Sequence, residues 1–414
     1  MQKKNCVSIN ECRLCSSKKL NTVLNLGKTP LANSYSAAAV SIKLKKYPLK
    51  INLCNKCGHL QLSHSIKPEK MFRNYLYKTN TSKKNFLHFK NYASELNKKV
   101  RKKHGKILDI ASNDGTFLSF FNKKKYFRLG IDPAKNLQKI SQNKGIKQLD
   151  KFFTEETSEE IKKKFGKFDL ITANHVCAHV QNLDDFFKGV KNILNNNGLF
   201  VFEVSYRGSV LQKNTFDTIY HEHLDYHALY PISKFLKKFK FKLLDFKITE
   251  AQGGSLRVYV SNNIKGIKIK KIQKQLIKEK NTLKLYSKET YKKFKKKINK
   301  CKKQVQNILR ELIKNKKKIS GYGAAAKTTT LLNYFGLSKN YNIKVVFDDN
   351  RLKQNLYIPG TLIKIKNPNY INKIPIDILV IFAWNYSDVI IKKNIKFRKK
   401  GGKFLIPFPN PKLV

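Results

Sequence analysis

Short apolar runs separated by polar turns recur along the chain, and each run has the length of a buried strand. The clearest is residues 198–204, Gly-Leu-Phe-Val-Phe-Glu-Val, in which apolar residues are nearly continuous. A helix is predicted just before it, at 183–194. Further strands are predicted at 106–109, 129–132, 168–173, 241–248 and 254–260. Strands that alternate with helices in this way are typical of an α/β sheet.

The pattern changes on both sides of this central region. After Pro68, residues 68–100 are predicted to be mostly helical, with a polar, hydroxyl-rich turn at 75–82. Residues 264–318 are rich in lysine and carry apolar residues at helical intervals, which predicts two long amphipathic helices. The remaining residues return to short apolar runs, and strands are predicted there at 343–347, 376–382 and 403–406.

At 414 residues the chain is long enough for two or three domains, and its 41% apolar content supports several packed cores. The formal net charge of +59 raises the question of nucleic-acid binding, but the lysines are spread along the whole chain without a compact basic-aromatic motif. We therefore expect no nucleic-acid partner. No apolar run approaches the roughly 18 residues that a transmembrane helix needs, and the first residues carry no apolar stretch of a secretion signal. We expect a cytoplasmic protein with no membrane partner.

Four of the seven cysteines form two pairs with the spacing of metal-binding knuckles. Cys12 and Cys15 form one C-x-x-C pair, and Cys54 and Cys57 form the other after an interval of 38 residues. Two pairs of thiolates suit tetrahedral Zn²⁺, whereas the cytosol disfavours disulfides. Because four thiolates fill all positions, the zinc is predicted to be structural, with His59 as an alternative ligand. The other cysteines are expected to be plain thiols: Cys6, Cys177 and Cys301.

The first functional signal is a turn rich in small residues. A predicted strand ends at Asp109, the turn continues to Gly115, and a helix is predicted just after it. Small residues let the backbone approach a ligand closely. The next strand ends in Asp132, an acid in the position that can hold a ribose diol. This is a nucleotide-binding βαβ pattern, although Ala111 and Asn113 stand where a full G-x-G-x-x-G has glycines.

A second turn of this kind lies in the last part of the chain. Residues 318–327 pass from a predicted strand into a predicted helix, and they match G-x-G-x-x-A through Gly321 and Gly323. This match is a dinucleotide fingerprint. It is also compatible with a Rossmann-like turn that binds another phosphate, at the helix N-terminus and beside Lys327.

Histidines concentrate in residues 216–227, here called the histidine segment. Three of the nine histidines lie within seven of its residues, among a glutamate and two tyrosines. The segment follows the strand at 198–204, and binding or catalytic groups often leave the carboxyl ends of such strands. A metal site made of His221 and Glu222 is an alternative. His179 follows another predicted strand and is expected at the same rim, unless it is a capped core histidine.

Taken together, these motifs resemble those of the nucleotide-sugar C-methyltransferases. After the cysteine pairs come Ala-Ser-Asn-Asp-Gly-Thr, Ala-Asn-His-Val-Cys-Ala-His-Val, Phe-Glu-Val-Ser-Tyr, Tyr-His-Glu-His-Leu, Gly-Gly-Ser-Leu-Arg-Val-Tyr-Val and Gly-Tyr-Gly-Ala-Ala-Ala-Lys. The resemblance implies an α/β protein with a class I methyltransferase Rossmann-like domain between an N-terminal zinc-binding domain and a C-terminal Rossmann-like domain that helps to hold the nucleotide sugar. The expected boundaries are 1–70, 71–262, a helical linker at 263–318, and 319–414.

The resemblance also implies roles for individual residues. His223 matches the family's base, and its companions in the site would be Tyr220, Glu222, His179 and Tyr75. The methyl donor S-adenosylmethionine is expected at Asp109, Ala111, Asn113, Gly115, Asp132 and Asn174. The nucleotide-sugar substrate is expected at Gly321, Gly323 and Lys327. S-adenosylmethionine and structural zinc are thus the implied cofactors, and we expect a monomer.

The resemblance implies methylation of a carbon beside a ketone, at C3 of an NDP-4-keto-deoxysugar, and the residue types suit that chemistry. A proton on such a carbon is acidic enough for an imidazole with a pKa of about 6.5 to remove. The resulting enolate needs a hydrogen-bond donor, such as a phenol or a second histidine. Three alternatives stay open at this point: sugar O-methylation on the same scaffold, an NAD-dependent sugar oxidoreductase that uses the second turn, and a basic zinc-ribbon protein that binds nucleic acid.

Overall fold

The computed structural model describes residues 5–73, 79, 83–100, 104–263 and 266–414, so that Tyr75 and nearly all of the predicted turn at 75–82 lie outside it. The amino-terminal part forms small antiparallel sheets. Its elements are β1 (Cys6–Ser8), β2 (Leu20–Thr29), α1 (Ala38–Ser41), β3 (Tyr47–Cys54), β4 (Leu60–Leu62), β5 (His64–Ile66) and α2 (Glu69–Phe72). β1 pairs with β5, and β4, β3 and β2 are neighbours in a second sheet.

A seven-stranded sheet forms the centre of the molecule. Its strands are β6 (Gly105–Ile110), β7 (Tyr126–Ile131), β8 (Lys147–Leu149), β9 (Phe168–Asn174), β10 (Leu194–Ser205), β12 (Lys242–Thr249) and β13 (Ser255–Ser261), in the order β12-β13-β10-β9-β6-β7-β8. β6 to β10 are parallel, and β13 is antiparallel to both neighbours. The chain leaves β6 towards β7 and returns to β9 on the other side, so the order reverses between β6 and β9. Ligands of such sheets bind outside the carboxyl ends of the strands at this reversal.

The intervening helices have sequence signals that fix their ends. They are α3 (Lys83–Lys99), α4 (Thr116–Ser119), α5 (Lys135–Asn143), α6 (Glu155–Phe165), α7 (Leu183–Ile193), α8 (Arg207–Gln212) and α9 (Leu229–Lys238). At the start of α7 the Asn182 side chain accepts a hydrogen bond from the Asp185 N–H. At the start of α6 Thr154 makes the same kind of cap to Thr157, and acidic residues follow it. Such caps and acidic first turns stabilise a helix N-terminus.

Apolar packing covers both faces of the central sheet because its strand residues alternate between them. On one face Leu108, Ile171 and Phe200 pack with side chains of α6, α7 and α9. On the other, Ile107 and Leu170 pack with side chains of α3 and α4.

The last part of the chain begins with two helices and ends in a second parallel sheet. The helices are α10 (Ile269–Ile277) and α11 (Lys288–Lys314), and the sheet elements are β14 (Ile319–Tyr322), α12 (Ala326–Phe335), α13 (Leu337–Asn340), β15 (Val345–Phe347), β16 (Lys364–Lys366), β17 (Ile378–Ile381), α14 (Ser387–Lys393), α15 (Ile395–Lys399), β18 (Lys403–Ile406) and β19 (Lys412–Leu413). The strand order is β16-β15-β14-β17-β18-β19, parallel except for β19. None of the helices in the described ranges has the length and apolar character needed to cross a membrane.

The histidine segment lies where these parts meet. It contributes a two-residue strand, β11 (Asp225–Tyr226), which pairs with β4 at the edge of the amino-terminal sheet. Phe216, Ile219 and Leu224 join one apolar core with β3, α11 and α12. The segment is therefore held by elements from both ends of the chain.

The strands predicted from the apolar runs are confirmed. Most ends differ by no more than two residues, but β7 begins three residues and β10 four residues before the predicted start. Both helices predicted in 264–318 are also present, although α10 ends after nine residues in a π-helical turn at Lys278–Thr282. The first predicted turn leads into a helix of only four residues, and the second leads into one of ten.

Candidate active site

A cleft of about 590 Å³ lies outside the carboxyl ends of the central parallel strands. The last residues of four strands reach it: Ile110, Ile131, Asn174 and Ser205. It thus occupies the position that the strand reversal between β6 and β9 indicates. Nine of the predicted site residues line it: Asp109, Ala111, Asn113, Asp132, Asn174, His179, Tyr220, His223 and Lys327.

Asp132, which follows β7, is hydrogen-bonded to the first turn. Its carboxylate accepts hydrogen bonds from the Asn113 N–H and the Ala134 N–H, each at 2.8 Å. These bonds fix the carboxylate at the rim of the cleft. Because each carboxylate oxygen has two acceptor positions, Asp132 can still accept from a diol. The geometry suits the ribose contact that the sequence predicted.

Asp109 is nearly fully buried beside this site. Its carboxyl accepts from the Thr172 hydroxyl at 2.6 Å, and the Asn174 amide lies at 3.4 Å. Burial raises the pKa of Asp109 to about 7, opposed by the Thr172 hydrogen bond and reinforced by the charge of Asp132. A cation bound in the cleft would favour the ionised form of Asp109. The carbonyl oxygen of the Asn174 side chain has no hydrogen-bond partner among the described residues, so it is available to a ligand.

These groups fit S-adenosylmethionine, which carries a ribose, an ammonium and a sulfonium. Ala111 and Asn113 both have left-handed backbone, with φ of 56° and 52°, and both line the cleft. Gly115 also has positive φ, but a side chain there would meet the Ser141 hydroxyl at 2.5 Å. Gly115 therefore packs against α5 and is not part of the cleft lining.

His223 and His179 also line the cleft, and their rings pack against each other. Their ring centroids are 4.9 Å apart, and the Tyr220 ring lies 4.1 Å from that of His223. His223 Nδ1 is 2.7 Å from the Thr218 carbonyl, and His179 Nδ1 is 2.6 Å from the Glu222 carbonyl. A carbonyl only accepts, so each Nδ1 carries a proton, and in the neutral ring the lone pair lies on Nε2. Within the described part of the chain, His223 Nε2 has no hydrogen-bond partner.

Both rings are neutral at neutral pH. Burial lowers the pKa of His179 to about 4. Burial and the neighbouring His179 hold the pKa of His223 well below its ordinary value, and the Lys327 charge adds to this. A neutral His223 is fully in its proton-accepting form, although a low pKa also makes it a weaker base. An anionic substrate beside Lys327 would relieve part of this depression.

Glu222 does not reach the cleft, although it lies next to His223. Its buried carboxylate accepts from the Asn33 side-chain amide at 2.7 Å. His221 is also buried, and its Nε2 lies near the carbonyls of Tyr47 and Pro48. The alternative metal site at His221 and Glu222 is therefore wrong, because the two side chains bond to different partners and no metal-binding group among the described residues includes them.

The structure separates the three residues predicted to hold the substrate. Lys327, in the first turn of α12, lines the same cleft as His223, and its buried Nζ has no hydrogen-bond partner among the described residues. Burial lowers the pKa of Lys327, and the nearby Asp217 carboxylate opposes that shift. Gly321 and Gly323 instead pack against protein: a side chain on them would meet Phe382 and Ala383, each at 2.5 Å.

The four paired cysteines converge as predicted. Their sulfur atoms all lie within 4.8 Å of one another, with Cys12 and Cys57 at 3.5 Å and Cys15 and Cys54 at 3.7 Å. Tetrahedral zinc with Zn–S bonds of about 2.3 Å needs sulfurs about 3.8 Å apart, so the thiols fit the ion. His59 is not a ligand in this arrangement, because its Nε2 lies 2.8 Å from Asp225. The remaining cysteines are free thiols outside the cluster: Cys6, Cys177 and Cys301.

Several residues that shape the site were not among the predicted site residues. Thr218 orients His223 through a backbone carbonyl, and such a contact does not depend on residue type. His175 lines the cleft with its Nε2 3.3 Å from the buried Glu203. The Phe-Glu-Val motif that contains Glu203 could have indicated this pair. Trp384 donates to Asp217 at 2.6 Å from the other end of the chain, which no local pattern predicts.

Comparison with known families divides the chain into three matched parts. A zinc binding domain matches residues 12–72, a methyltransferase domain residues 82–245, and a C-methyltransferase C-terminal domain residues 250–409. C-methyltransferase NovU of Streptomyces niveus is 27% identical over 412 residues, which cover 98% of this chain and 97% of that protein.

Two solved methyltransferase structures are each similar to less than half of the chain. Magnesium protoporphyrin IX methyltransferase (ChlM) from Synechocystis PCC 6803, with bound SAH, is 11% identical with a TM-score of 0.34, over 43% of this chain and 83% of its own. An S-adenosylmethionine-dependent methyltransferase from Clostridium acetobutylicum ATCC 824 is 17% identical with a TM-score of 0.34, over 42% and 91%.

The family matches follow the order that the motifs indicated, and each falls on the expected elements. The four-thiol cluster lies in the zinc-binding match, and the cleft lies at the sheet of the methyltransferase match. The chain therefore carries a zinc binding domain, a methyltransferase domain and a C-methyltransferase C-terminal domain, and it is an S-adenosylmethionine-dependent methyltransferase.

Proposed function

We propose that the chain methylates C3 of an NDP-4-keto-deoxysugar, with His223 as the base. The observation that carries this proposal is the neutral His223, whose Nδ1 is held by the Thr218 carbonyl and whose Nε2 is left as an acceptor in the cleft. A C-methyltransferase needs such a base, because the carbon must lose a proton before it accepts a methyl group. We further propose division of the chain at residues 70, 262 and 318.

The donor is proposed to lie across the first turn. Asp132 would hold the ribose hydroxyls, and Asp109 and Asn174 would face the methionine end. Ala111 and Asn113 would lie beneath it, with Gly115 shaping the turn. S-adenosylmethionine, when bound, supplies an electrophilic methyl group on a positive sulfonium. Asp109 and Asp132 offset that charge.

Lys327 is proposed to hold the ketone oxygen of the substrate. Its Nζ is buried, has no hydrogen-bond partner among the described residues, and lies in the same cleft as His223. As His223 removes the proton beside the ketone, negative charge develops on that oxygen. A preorganised cation in a partly dehydrated site stabilises such charge more than the neutral ketone. Tyr220 and His179 would hold the His223 ring in place, and Tyr75 remains a predicted substrate contact.

The proposal is tested by the position of the new methyl group. With ¹³C-methyl-labelled S-adenosylmethionine and an NDP-4-keto-6-deoxysugar, the product should show a methyl carbon bonded to carbon in its NMR spectrum. An O-methyl signal would favour the alternative reaction. His223→Ala should lower kcat by about 10²–10⁴-fold with unchanged donor affinity, since general-base catalysis has that magnitude. His104→Ala, which removes an exposed histidine, is the matched control.

A further inference from the structure

The zinc-binding knuckles make direct contact with the two segments that carry the facing histidines. The guanidinium of Arg13, which lies between Cys12 and Cys15, donates from Nε to the Asp225 carboxylate at 2.9 Å. The same group donates from Nη1 to the Gln181 carbonyl at 2.9 Å and from Nη2 to the Val180 carbonyl. Asp225 follows His223 by two residues, and Val180 is the residue after His179. One side chain thus joins both segments.

The second knuckle contacts the same carboxylate. His59, two residues after Cys57, places its Nε2 2.8 Å from Asp225. The Asp225 side chain is completely buried, and that of Arg13 is only 9% exposed. Burial would raise the pKa of Asp225, but the Arg13 guanidinium and the His59 hydrogen bond hold it well below its ordinary value. Asp225 is therefore a buried anion held by one residue beside each cysteine pair.

Backbone hydrogen bonds close the connection between the two histidines. Leu224 N–H donates to the Ala178 carbonyl at 2.7 Å, and Leu62 N–H donates to the Leu224 carbonyl at 2.8 Å. The histidine segment is therefore tied to the residue before His179 on one side and to the amino-terminal sheet on the other. Arg13 contacts Asp225, and only Leu224 separates Asp225 from His223 along the chain. A change at Arg13 can therefore shift the position of His223.

We propose that Arg13 and Asp225 are positioning residues, through which the zinc-binding domain sets the distance between His179 and His223. Zinc fixes the backbone of both knuckles, and the fixed knuckles hold Arg13 and His59 on Asp225. The zinc domain then contributes to the geometry of the base as well as to folding. Catalysis is sensitive to such positioning, because a shift of about 1 Å can lower a rate by about 10²-fold. The kinetic part of this proposal rests on the proposed function, but the structural part does not.

The test compares Arg13→Ala with Lys56→Ala in the full-length, zinc-loaded protein. Lys56 is an exposed cation between the cysteines of the other knuckle, so its removal is a matched control. Arg13→Ala should keep one zinc by elemental analysis and bind S-adenosylhomocysteine with unchanged Kd. Hydrogen exchange should become at least tenfold faster in peptides covering 178–181 and 223–226, and stay unchanged in 109–115. Lys56→Ala should match wild type throughout.

Kinetics then separate positioning from general destabilisation. With the NDP-4-keto-6-deoxysugar, Arg13→Ala should lower kcat about 10–100-fold with little change in KM, and Arg13→Lys should recover part of the loss. Zinc-loaded Arg13→Ala with wild-type exchange at both peptides would overturn the proposal, whatever substrate the enzyme uses. Should Arg13→Ala be recovered unfolded or without zinc, Asp225→Asn decides by the same measurements, because it keeps the side-chain shape and lies outside the knuckles. Hydrogen exchange at the wild-type rate in both peptides of Asp225→Asn would equally overturn the proposal.

Discussion

The two strand-to-helix turns of this chain share a local geometry, and their surroundings differ. In the first turn Asp132 accepts from the Asn113 N–H at 2.8 Å, and in the second Asp348 accepts from the Ala324 N–H at 2.6 Å. Each aspartate follows the next parallel strand and also accepts from the backbone N–H two residues after itself. The first turn lines the cleft, whereas residues 321–323 of the second do not belong to its lining.

What surrounds the second turn explains the difference. Gly323 approaches the backbone of Ala383 so closely that a side chain would meet its nitrogen at 2.9 Å. The Ala324 carbonyl accepts from the Tyr35 hydroxyl at 2.6 Å and from Lys353 Nζ at 2.8 Å. The chain itself therefore occupies the groups that a nucleotide could use. The better glycine fingerprint reflects close packing here, while the turn with fewer glycines lines the cleft.

Among variants that compare the two turns, substitution of Lys327 has the largest expected effect, because this residue projects from the helix of the second turn into the cleft of the first. Lys327→Met should lower kcat by about 10²–10³-fold, as expected for loss of a charge-stabilising donor. Donor affinity should stay constant, which calorimetry with S-adenosylhomocysteine would check. If the substitution raised only KM for the sugar nucleotide, Lys327 would belong with the substrate phosphates instead.

The glycines of the second turn are expected to matter for stability. Gly323→Ala should destabilise by about 2–4 kcal/mol, since it adds overpacking to a strained backbone with φ of +95°. Ala111→Gly in the first turn should change stability by less than about 1 kcal/mol, because relief of the left-handed backbone offsets the greater freedom of the unfolded chain. Urea unfolding would compare them. A larger loss of stability in Ala111→Gly than in Gly323→Ala would contradict this prediction.

The two aspartates should differ in ligand binding. Asp132→Ala should weaken S-adenosylhomocysteine binding by about 1–3 kcal/mol, the loss of a charge-assisted pair of hydrogen bonds. Asp348→Ala should reduce stability and leave that affinity unchanged. Calorimetry on both variants would show whether the turns differ as proposed, and equal losses of affinity would show that they do not.

The smallest effect expected is a pH dependence of donor binding. Burial raises the pKa of Asp109 to about 7, so its carboxyl is largely neutral at pH 6 and largely ionised at pH 8. The cationic donor prefers the ionised form, and its affinity should rise several-fold across this window. Asp109→Asn should remove most of the rise. If the affinity of the wild-type protein for the donor fell between pH 6 and pH 8, ionisation of Asp109 would weaken donor binding, which would contradict this prediction.

The sequence predicted the strands well because their residues alternate or run continuously apolar, as in 168–173 and 198–204. The cysteine cluster was predictable because both pairs have the C-x-x-C spacing of zinc ligands. The directions of individual side chains were not predictable: Glu222 bonds to Asn33, and Lys327 lines the cleft whereas Gly323 does not. These outcomes depend on partners from other parts of the chain, and so does the contact of Arg13 with Asp225, 212 residues apart. A single-sequence pattern carries no record of such partners.

The most direct test of the central claim is deuterium exchange at the substrate carbon. In deuterated water, with S-adenosylhomocysteine and the NDP-4-keto-6-deoxysugar, wild-type enzyme should exchange the proton beside the ketone, as NMR or mass spectrometry would detect. His223→Ala should exchange it at least about 10²-fold more slowly, because the general base is missing. Exchange by His223→Ala at the wild-type rate would contradict the account and place the base elsewhere.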